Sequence, residues 1–431
     1  MKLDIELGDK NSGIQIVRTV VDTLRACNSA CGYCYFFHKD FGKNNDFLPA
    51  KIIKDILLAA NHQSQLDVVL SGGEITLHPE WQKLLDATKI LDKTGVTLIT
   101  NGTTLDKKKV DQIKKSHVSR ICISLDGATP KLHNYGRGNT FEKALKGLYE
   151  LQSSGKNITV LSVLHKQNID QILELSNFLA VNHLATQHHM AVPYYSGRAR
   201  ENYQKFIIPL EKVKKLQNKI DQVFDEYNKK GLYILFNHYW QLTGLMRKSG
   251  NPREFLSHQL GERNKATWAV VRCNGDVNST TAYWGRESVN NPAIGNLFKK
   301  PAQILFNKLD KLYRSGTCRQ LPREVESKYK YIVKGVFNKK MADIAISDSK
   351  KKDGIKLIPC LPMSDMEIMK TPIKQKYLNQ MCQLYKKNQK NYRIIRHATN
   401  VYLFYDNTSA HTILLNDNEL KKFRSQINKK H

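Results

Sequence analysis

The stretch "TLRACNSACGYCYFF", residues 23–37, carries three cysteines, Cys27, Cys31 and Cys34, in a C-x3-C-x2-C arrangement. Thiols this closely spaced can wrap several corners of an iron–sulfur cube from one loop. They can also serve a structural zinc, which wants four tetrahedral ligands, and His38 would complete a Cys3His set. The loop alone leaves both metals open.

Outward from this loop the chain alternates between two periods. The β-branched runs "IQIVRTV", "LDVVLSG", "VTLITNG", "SRICISLDG", "ITVLSVLH" and "HMAVPYY" read as six strands. Between them "PAKIIKDILLAANH", "PEWQKLLDATKILDK", "KKKVDQIKKS", "FEKALKGLYELQSSG" and "IDQILELSNFLAVNH" carry helical spacing, starting near Pro49 and Pro79 and stopping near Gly95 and Gly155. Parallel strands alternating with helices predict a βα barrel or an open doubly wound sheet. In such folds ligands sit at the carboxyl ends of the strands. The cysteine loop follows the first strand, "SGGE" the second, "TNGT" the third and "SLDG" the fourth, so all four unusual stretches fall on one rim.

At 431 residues, with 25% charged and 41% hydrophobic, the chain has the composition of a soluble protein of two or three domains. No run of roughly 18 apolar residues predicts a membrane span. The start "MKLDIELGDKNSGIQ" has no apolar secretion core, and eight cysteines, three in one loop, suit a reducing compartment, so a cytoplasmic location is expected. The formal charge of +29 favours an acidic partner: nucleic acid, a membrane surface or an acidic peptide. Most of it is lysine spread along helices, as in "KKLQNKIDQVFDEYNKK", with compact basic stretches such as "SDSKKKDGIK" and "KKNQKNYRIIR" only late in the chain.

The cysteine triplet, with Tyr33 before its last member, resembles the signature of radical S-adenosylmethionine enzymes. The resemblance continues through "SGGEITLHP" (71–79), "ITNGT" (99–103) and "ISLDGATPKLHNYGRGNTFEKALKGL" (123–148), covering roughly residues 15–200. It implies a partial (β/α)6 TIM-like barrel and a [4Fe–4S] cluster on Cys27, Cys31 and Cys34. It also implies S-adenosylmethionine on the fourth iron and an electron donor such as flavodoxin or ferredoxin. The cofactor would carry the hydrogen abstraction, so no side chain is assigned as general acid or base.

The remaining candidates are cofactor contacts. Gly72 and Gly73 permit close backbone approach, Glu74 can counter the methionyl ammonium, and Asn101 can offer a polar rim contact. Ser124 and Asp126 alternate on one strand face, which in the family looks toward the ribose and methionyl groups. Arg137 resembles an arginine near the cofactor carboxylate, and Tyr33 belongs to the signature itself. His188 and His189 read as structural, and Cys122 as a small buried hydrophobe.

The organisation expected is a lead-in (1–15), a radical S-adenosylmethionine core (16–231), a SPASM-like α+β region (232–315) and a basic extension (316–431). "NGDVNSTTAYWG…IGNLFKKPAQILFN" resembles the SPASM module of peptide maturases, yet Ser279, Thr280 and Thr281 stand where a cysteine is expected. Cys273, Cys318, Cys360 and Cys382 contain no C-x2-C pair, so the clusters of that module are expected to be lost, an auxiliary cluster on these four being the alternative. "VYLFYDNTSAHTILLNDNELKKF" is similar to modules that clamp a leader peptide as an added strand. The plainer reading is a solvent-facing hairpin with its turn at Asp406–Asn407. A peptide or protein substrate, with an acidic leader, follows from the likeness to SPASM-type maturases. The alternatives are a small cofactor precursor, an RNA substrate, or a zinc-stabilised binding protein without catalysis.

Overall fold

The computed structural model describes residues 5–7, 15–34, 47–193, 197–206, 208, 210–237, 266–279, 293–314, 375–387, 389, 392–398, 401–406 and 412–428. The strands are β1 (Ile5–Leu7), β2 (Gln15–Asp22), β3 (Asp67–Ser71), β4 (Gly95–Thr100), β5 (Arg120–Ser124), β6 (Asn157–Val163), β7 (Gln187–Ala191) and β8 (Tyr233–Asn237). Three more, β9 (Ala266–Val271), β10 (Asp276–Ser279) and β11 (Gly295–Asn296), follow, and β12 (Tyr392–Ala398), β13 (Val401–Asp406) and β14 (Thr412–Asn416) come near the end.

The helices are α1 (Ala50–His62), α2 (Trp81–Ala87), α3 (Lys107–Lys114), α4 (Pro130–Arg137), α5 (Phe141–Leu151) and α6 (Ile172–Val181). They continue with α7 (Gly197–Glu201), α8 (Tyr203–Phe206), α9 (Leu210–Lys229), α10 (Ala302–Arg314), α11 (Gln375–Lys387) and α12 (Asp417–Asn428).

One ten-stranded sheet runs in the order β11-β10-β9-β2-β3-β4-β5-β6-β7-β8. Every pair from β9 through β2 to β8 is parallel, while β10 joins β9 and β11 antiparallel. The six strands read from the sequence are β2 to β7, and they are flanked by two parallel strands the sequence reading did not separate. After residue 231 the sheet therefore continues, through β8 on one edge and β9 on the other. The fold is the mixed α/β, open barrel-like sheet that the alternation predicted.

The period-2 pattern sorts each strand between two environments. On β5, Ile121 and Ile123 are fully buried in the main core with Ile53 and Leu57 of α1, Leu148 of α5 and Leu175 of α6. The alternate face is layered. Its lowest level is polar: Asp67 takes Thr97 Oγ1 at 3.0 Å on both oxygens, Arg120 Nη2 at 3.2 Å and Arg18 Nε at 3.5 Å. Above it Val20, Val69 and Ile99 form an apolar level. The functional rim comes next.

The end of the chain forms a second, four-stranded sheet, β1-β12-β13-β14, in which the first strand of the protein pairs parallel with β12. Residues 5–7 thus belong to this sheet. The hairpin expected near the end is present as β13 and β14, Val401 opposite Asn416, and its turn lies outside the described residues. It is not simply solvent-facing: Phe404 and Leu415 are buried with Leu378, Met381 and Tyr385 of α11 and Phe423 of α12. Asn416 and Glu419 cap α12 reciprocally, each side chain accepting the other's backbone N–H at 2.9 and 3.0 Å. Arg393 fastens this unit to the carbonyls of Ser64 and Lys93, which precede β3 and β4. It therefore sits at the end of the sheet opposite the cysteine loop.

His188 and Cys122 are interior groups, as the sequence suggested. His188 is fully buried between Ser162 Oγ and Ser176 Oγ, each at 2.8 Å, and Cys122 is 6% exposed.

Two stability outcomes follow. Asp67→Asn leaves Arg18 and Arg120 without their shared carboxylate and is expected to cost about 3–5 kcal/mol, read from the urea midpoint. Burial lowers His188 from 6.5 to about 3. A depressed folded-state value means stability fully present above 6.5 and lost as pH falls toward 3. His188→Asn should flatten the decline in unfolding free energy between about pH 6.5 and 4, and an unchanged slope would remove the group from that account.

Candidate active site

The rim is built from the loops after β2, β3, β4, β5 and β6. The cysteine loop has few apolar side chains before Tyr33, so its course is set by backbone bonds and by polar side chains reaching in. Gly73 N–H donates to Leu24 O and Glu74 N–H to Ala26 O, both at 2.8 Å, while Thr23 N–H donates to Ser71 O at 2.7 Å. A Cβ on Gly73 would lie 2.0 Å from Ala26 O, and Gly72 adopts φ +139° with Leu24 O 2.7 Å from its Cβ position. The close approach that these glycines make here is to the backbone of the cysteine loop, not to a cofactor as the sequence reading expected.

Glu74 is 1% exposed, and its carboxylate is engaged within the protein. It accepts Thr100 Oγ1 at 2.5 Å, Thr76 Oγ1 at 2.6 Å, Asn101 N–H at 2.6 Å and Thr76 N–H at 3.2 Å. Burial pushes its pKa up while these bonds pull it down, with a net rise. As placed, it braces the β3 rim to the β4 rim.

Asn101 reaches the first half of the cysteine loop. Its Nδ2 donates to Asn28 Oδ1 at 2.8 Å and Ser29 Oγ at 3.0 Å, and its Oδ1 accepts Thr103 N–H at 2.9 Å. Asn28 in turn donates to Thr103 Oγ1 at 2.8 Å.

Asp126, fully buried beyond the end of β5, is the hub of the second half. Its carboxylate accepts Val163 N–H at 2.9 Å, pairs with Arg137 Nε at 2.9 Å and takes the Tyr33 hydroxyl. Arg137 closes α4 and lies 5.5 Å from the centre of the Tyr33 ring. Burial is the largest single influence and works against its charge, but Asp126, Tyr33 and Cys31 together outweigh it and keep it protonated. Gly136 lets Tyr33 in, since a Cβ there would stand 2.3 Å from the ring. Ser124 is buried one alternate position before Asp126. Tyr33, Asp126 and Arg137, three separate candidates in the sequence, are thus one network.

Some members of the site carried no signal in the sequence. His165 and Tyr135 pack at 5.1 Å between ring centres, and Phe206 meets Tyr33 edge-on at 5.4 Å. Their residue types are ordinary and their partners distant in sequence. Only His165, two residues past the end of β6, had a position that hinted at the rim. His189 is half-buried on β7.

Cys27 is exposed on the outer edge of the loop, and Cys31 and Cys34 are half-buried. Burial pushes the Cys31 thiol up to about 12, so ligation there must displace a proton. No three His, Cys, Asp or Glu side chains among the described residues converge on a single-ion position, and His38 lies outside those residues.

Residues 21–179 match the model of the Radical SAM superfamily, so the protein carries a radical SAM domain, and the relatives it resembles are enzymes. It is 26% identical to the Fe-coproporphyrin III synthase of Methanosarcina barkeri over 70% of this chain and 76% of the synthase. It is 29% identical to the mycofactocin maturase MftC of Mycobacterium tuberculosis over 35% of this chain and 38% of the maturase. Among solved structures, SuiB of Streptococcus suis bound to S-adenosylmethionine is similar with TM-score 0.55 and 22% identity, over 71% of this chain and 68% of SuiB. That likeness concerns the fold.

The superfamily implies S-adenosylmethionine and a [4Fe–4S] cluster. The residues present fit such a group in their donor chemistry: three thiols on one loop, at the strand ends, with glycines where any side chain would force the loop off the rim. Sulfur ligands of a cube attach to different irons and need not meet at one point.

Gly73→Ala is the direct check on this seat. The methyl group cannot be placed without displacing Ala26, an overpacking cost of about 1–3 kcal/mol, and iron retention is expected to fall more than the melting temperature. Wild-type iron content in that variant would refute the seat.

Proposed function

We propose that this enzyme holds its [4Fe–4S] cluster on Cys27, Cys31 and Cys34 and takes a hydrogen atom from a peptide or protein substrate. The observation that carries the reading is the convergence of the cysteine loop, the Gly72–Glu74 turn, Asn101 and the Asp126 network on one rim of a radical SAM domain. Bound there, the cluster and S-adenosylmethionine supply one-electron chemistry that removes hydrogen from an unactivated carbon.

The chain's own residues do the holding. Gly73 and Asn101 fix the first half of the loop, Asp126 and Tyr33 the second, and Tyr33, Phe206 and Ala199 form a small apolar cluster beside Cys31 that keeps water from one side of it. Ser124, buried one alternate position before Asp126, would meet the cofactor from the strand side.

The likeness to a maturase and to SuiB, which has also been seen with its precursor peptide SuiA, supports a peptide substrate. The charge of +29 suits an acidic one. The longer alignment to Fe-coproporphyrin III synthase supports a second reading, a small cofactor precursor. Tight, salt-sensitive binding of an acidic peptide would favour the first, and binding of a tetrapyrrole without peptide affinity the second.

The auxiliary-cluster alternative bears on Cys273 and Cys382, buried in separate parts of the protein; Cys382 donates to Gln426 Oε1 at 3.1 Å within the terminal unit. Cys318 and Cys360 lie outside the described residues.

Iron and acid-labile sulfide per chain after anaerobic reconstitution test the assignment. About four irons in wild type, lost in the Cys27→Ala, Cys31→Ala, Cys34→Ala variant, are expected. About eight falling to four would add an auxiliary cluster, and one zinc with no iron would overturn the proposal.

A further inference from the structure

We infer that α7 and α8, residues 197–206, form a clasp on the cysteine loop, and that Arg198 is a positioning residue whose charge eases reduction of the cluster the loop carries. The inference rests on the ligand assignment proposed above.

The cysteine loop is gripped in two halves by different parts of the chain. Residues 28 and 29 are held by the β4 rim through Asn101 and Thr103. The half from 31 to 34 is held by a segment more than 160 residues away in sequence. Arg198 N–H donates to Cys34 O at 3.0 Å, the Arg198 guanidinium to Cys31 O at 3.4 Å, and Asn202 Nδ2 to Gly32 O at 2.9 Å. Three of the four carbonyls between Cys31 and Cys34 are therefore taken up by two residues of one short helical turn.

Packing reinforces these bonds. Ala199 and Phe206 are each 1% exposed against Tyr33, and the Phe206 ring lies so close to Gly32 that a Cβ there would stand 2.6 Å from it. On its far side the clasp meets α4, where Tyr135 donates to Lys205 O and the Lys205 ammonium lies 4.9 Å from the Tyr135 ring centre. Gly32 N–H in turn donates to Gly136 O at 2.8 Å. The second half of the loop is thus enclosed between α4 and the clasp.

A structural grip alone would need no charge. Asn202 and the Arg198 backbone already hold two of the carbonyls, while the Arg198 guanidinium brings a permanent cation onto the carbonyl of a ligand cysteine in a half-buried setting. Cluster potentials respond to net charge, hydrogen bonding and exposure around the sulfurs. A cation beside a group that gains an electron from an external one-electron donor favours the reduced form, more strongly where water is excluded.

Two measurements test this. Hydrogen exchange on the apoprotein should show residues 27–34 exchanging several-fold faster in Arg198→Gln, Asn202→Ala and Phe206→Leu, with α1 and α5 unchanged. After reconstitution, mediator-poised titration followed by electron paramagnetic resonance should place the Arg198→Gln midpoint below wild type, and Arg198→Lys close to it. Unchanged exchange in all three variants, or an Arg198→Gln midpoint equal to wild type, overturns the inference. A wild-type protein that takes up no iron defeats the ligand assignment instead, and the exchange measurement still decides whether the clasp exists.

Discussion

Two backbone hydrogen bonds, from Gly73 to Leu24 O and from Glu74 to Ala26 O, hold the arrangement on which the rest of the rim depends. They extend the pairing of β2 and β3 past the last strand residues and carry the chain into the cysteine loop in a fixed direction. Each such bond contributes only about 1 kcal/mol net, but leaving its partners unpaired in a buried setting costs more. The contact demands glycine because the two backbones approach closer than any side chain permits. The Glu74 carboxylate then ties the same turn to β4, so one short sequence fixes three neighbouring strand ends.

The second constraint is electrostatic. Asp126 is fully buried, and a buried polar group is costly unless it is paired and hydrogen-bonded. Arg137 at 2.9 Å, the Tyr33 hydroxyl and Val163 N–H make the charge tenable. In that arrangement these side chains spend much of their bonding capacity on each other, and their first effect is to seat Tyr33, hence the cysteine beside it. A direct contact with a cofactor would have to share or displace one of these bonds, and that exchange is cheaper for Arg137, which has donors besides Nε, than for Asp126.

Much of this was legible in the sequence because the fold announces itself through period. β2 to β6 and helices α1, α3, α5 and α6 stand where alternation and helical spacing put them, while β7 begins two residues before the run read as the sixth strand and ends at Ala191. Helix α4 was not separated, since "PKLHNYGR" is short, starts with proline and buries Leu132, His133 and Arg137 rather than an apolar stripe. β9 pairs with β2 across more than 240 residues, and β1 with β12 across nearly the whole chain. No local pattern encodes such partners. In the site, the three cysteines were visible through spacing and Gly73 and Glu74 through their motif after the second strand read, whereas Arg198 and Asn202 act through backbone carbonyls that any sequence would present and Phe206 through a ring contact with the distant Tyr33. Carbonyl partners leave no signature in the residues they hold.

The placement of the terminal unit adds a last constraint. Arg393 anchors it to the carbonyls that precede β3 and β4, and Phe224 of α9 packs on its core, so it occupies the end of the sheet away from the cysteines. A strand of five residues rises about 17 Å, and the loops add to that. Any recognition at this unit is therefore recognition at a distance. It can raise the local concentration of a tethered segment at the rim without touching the cysteine loop itself.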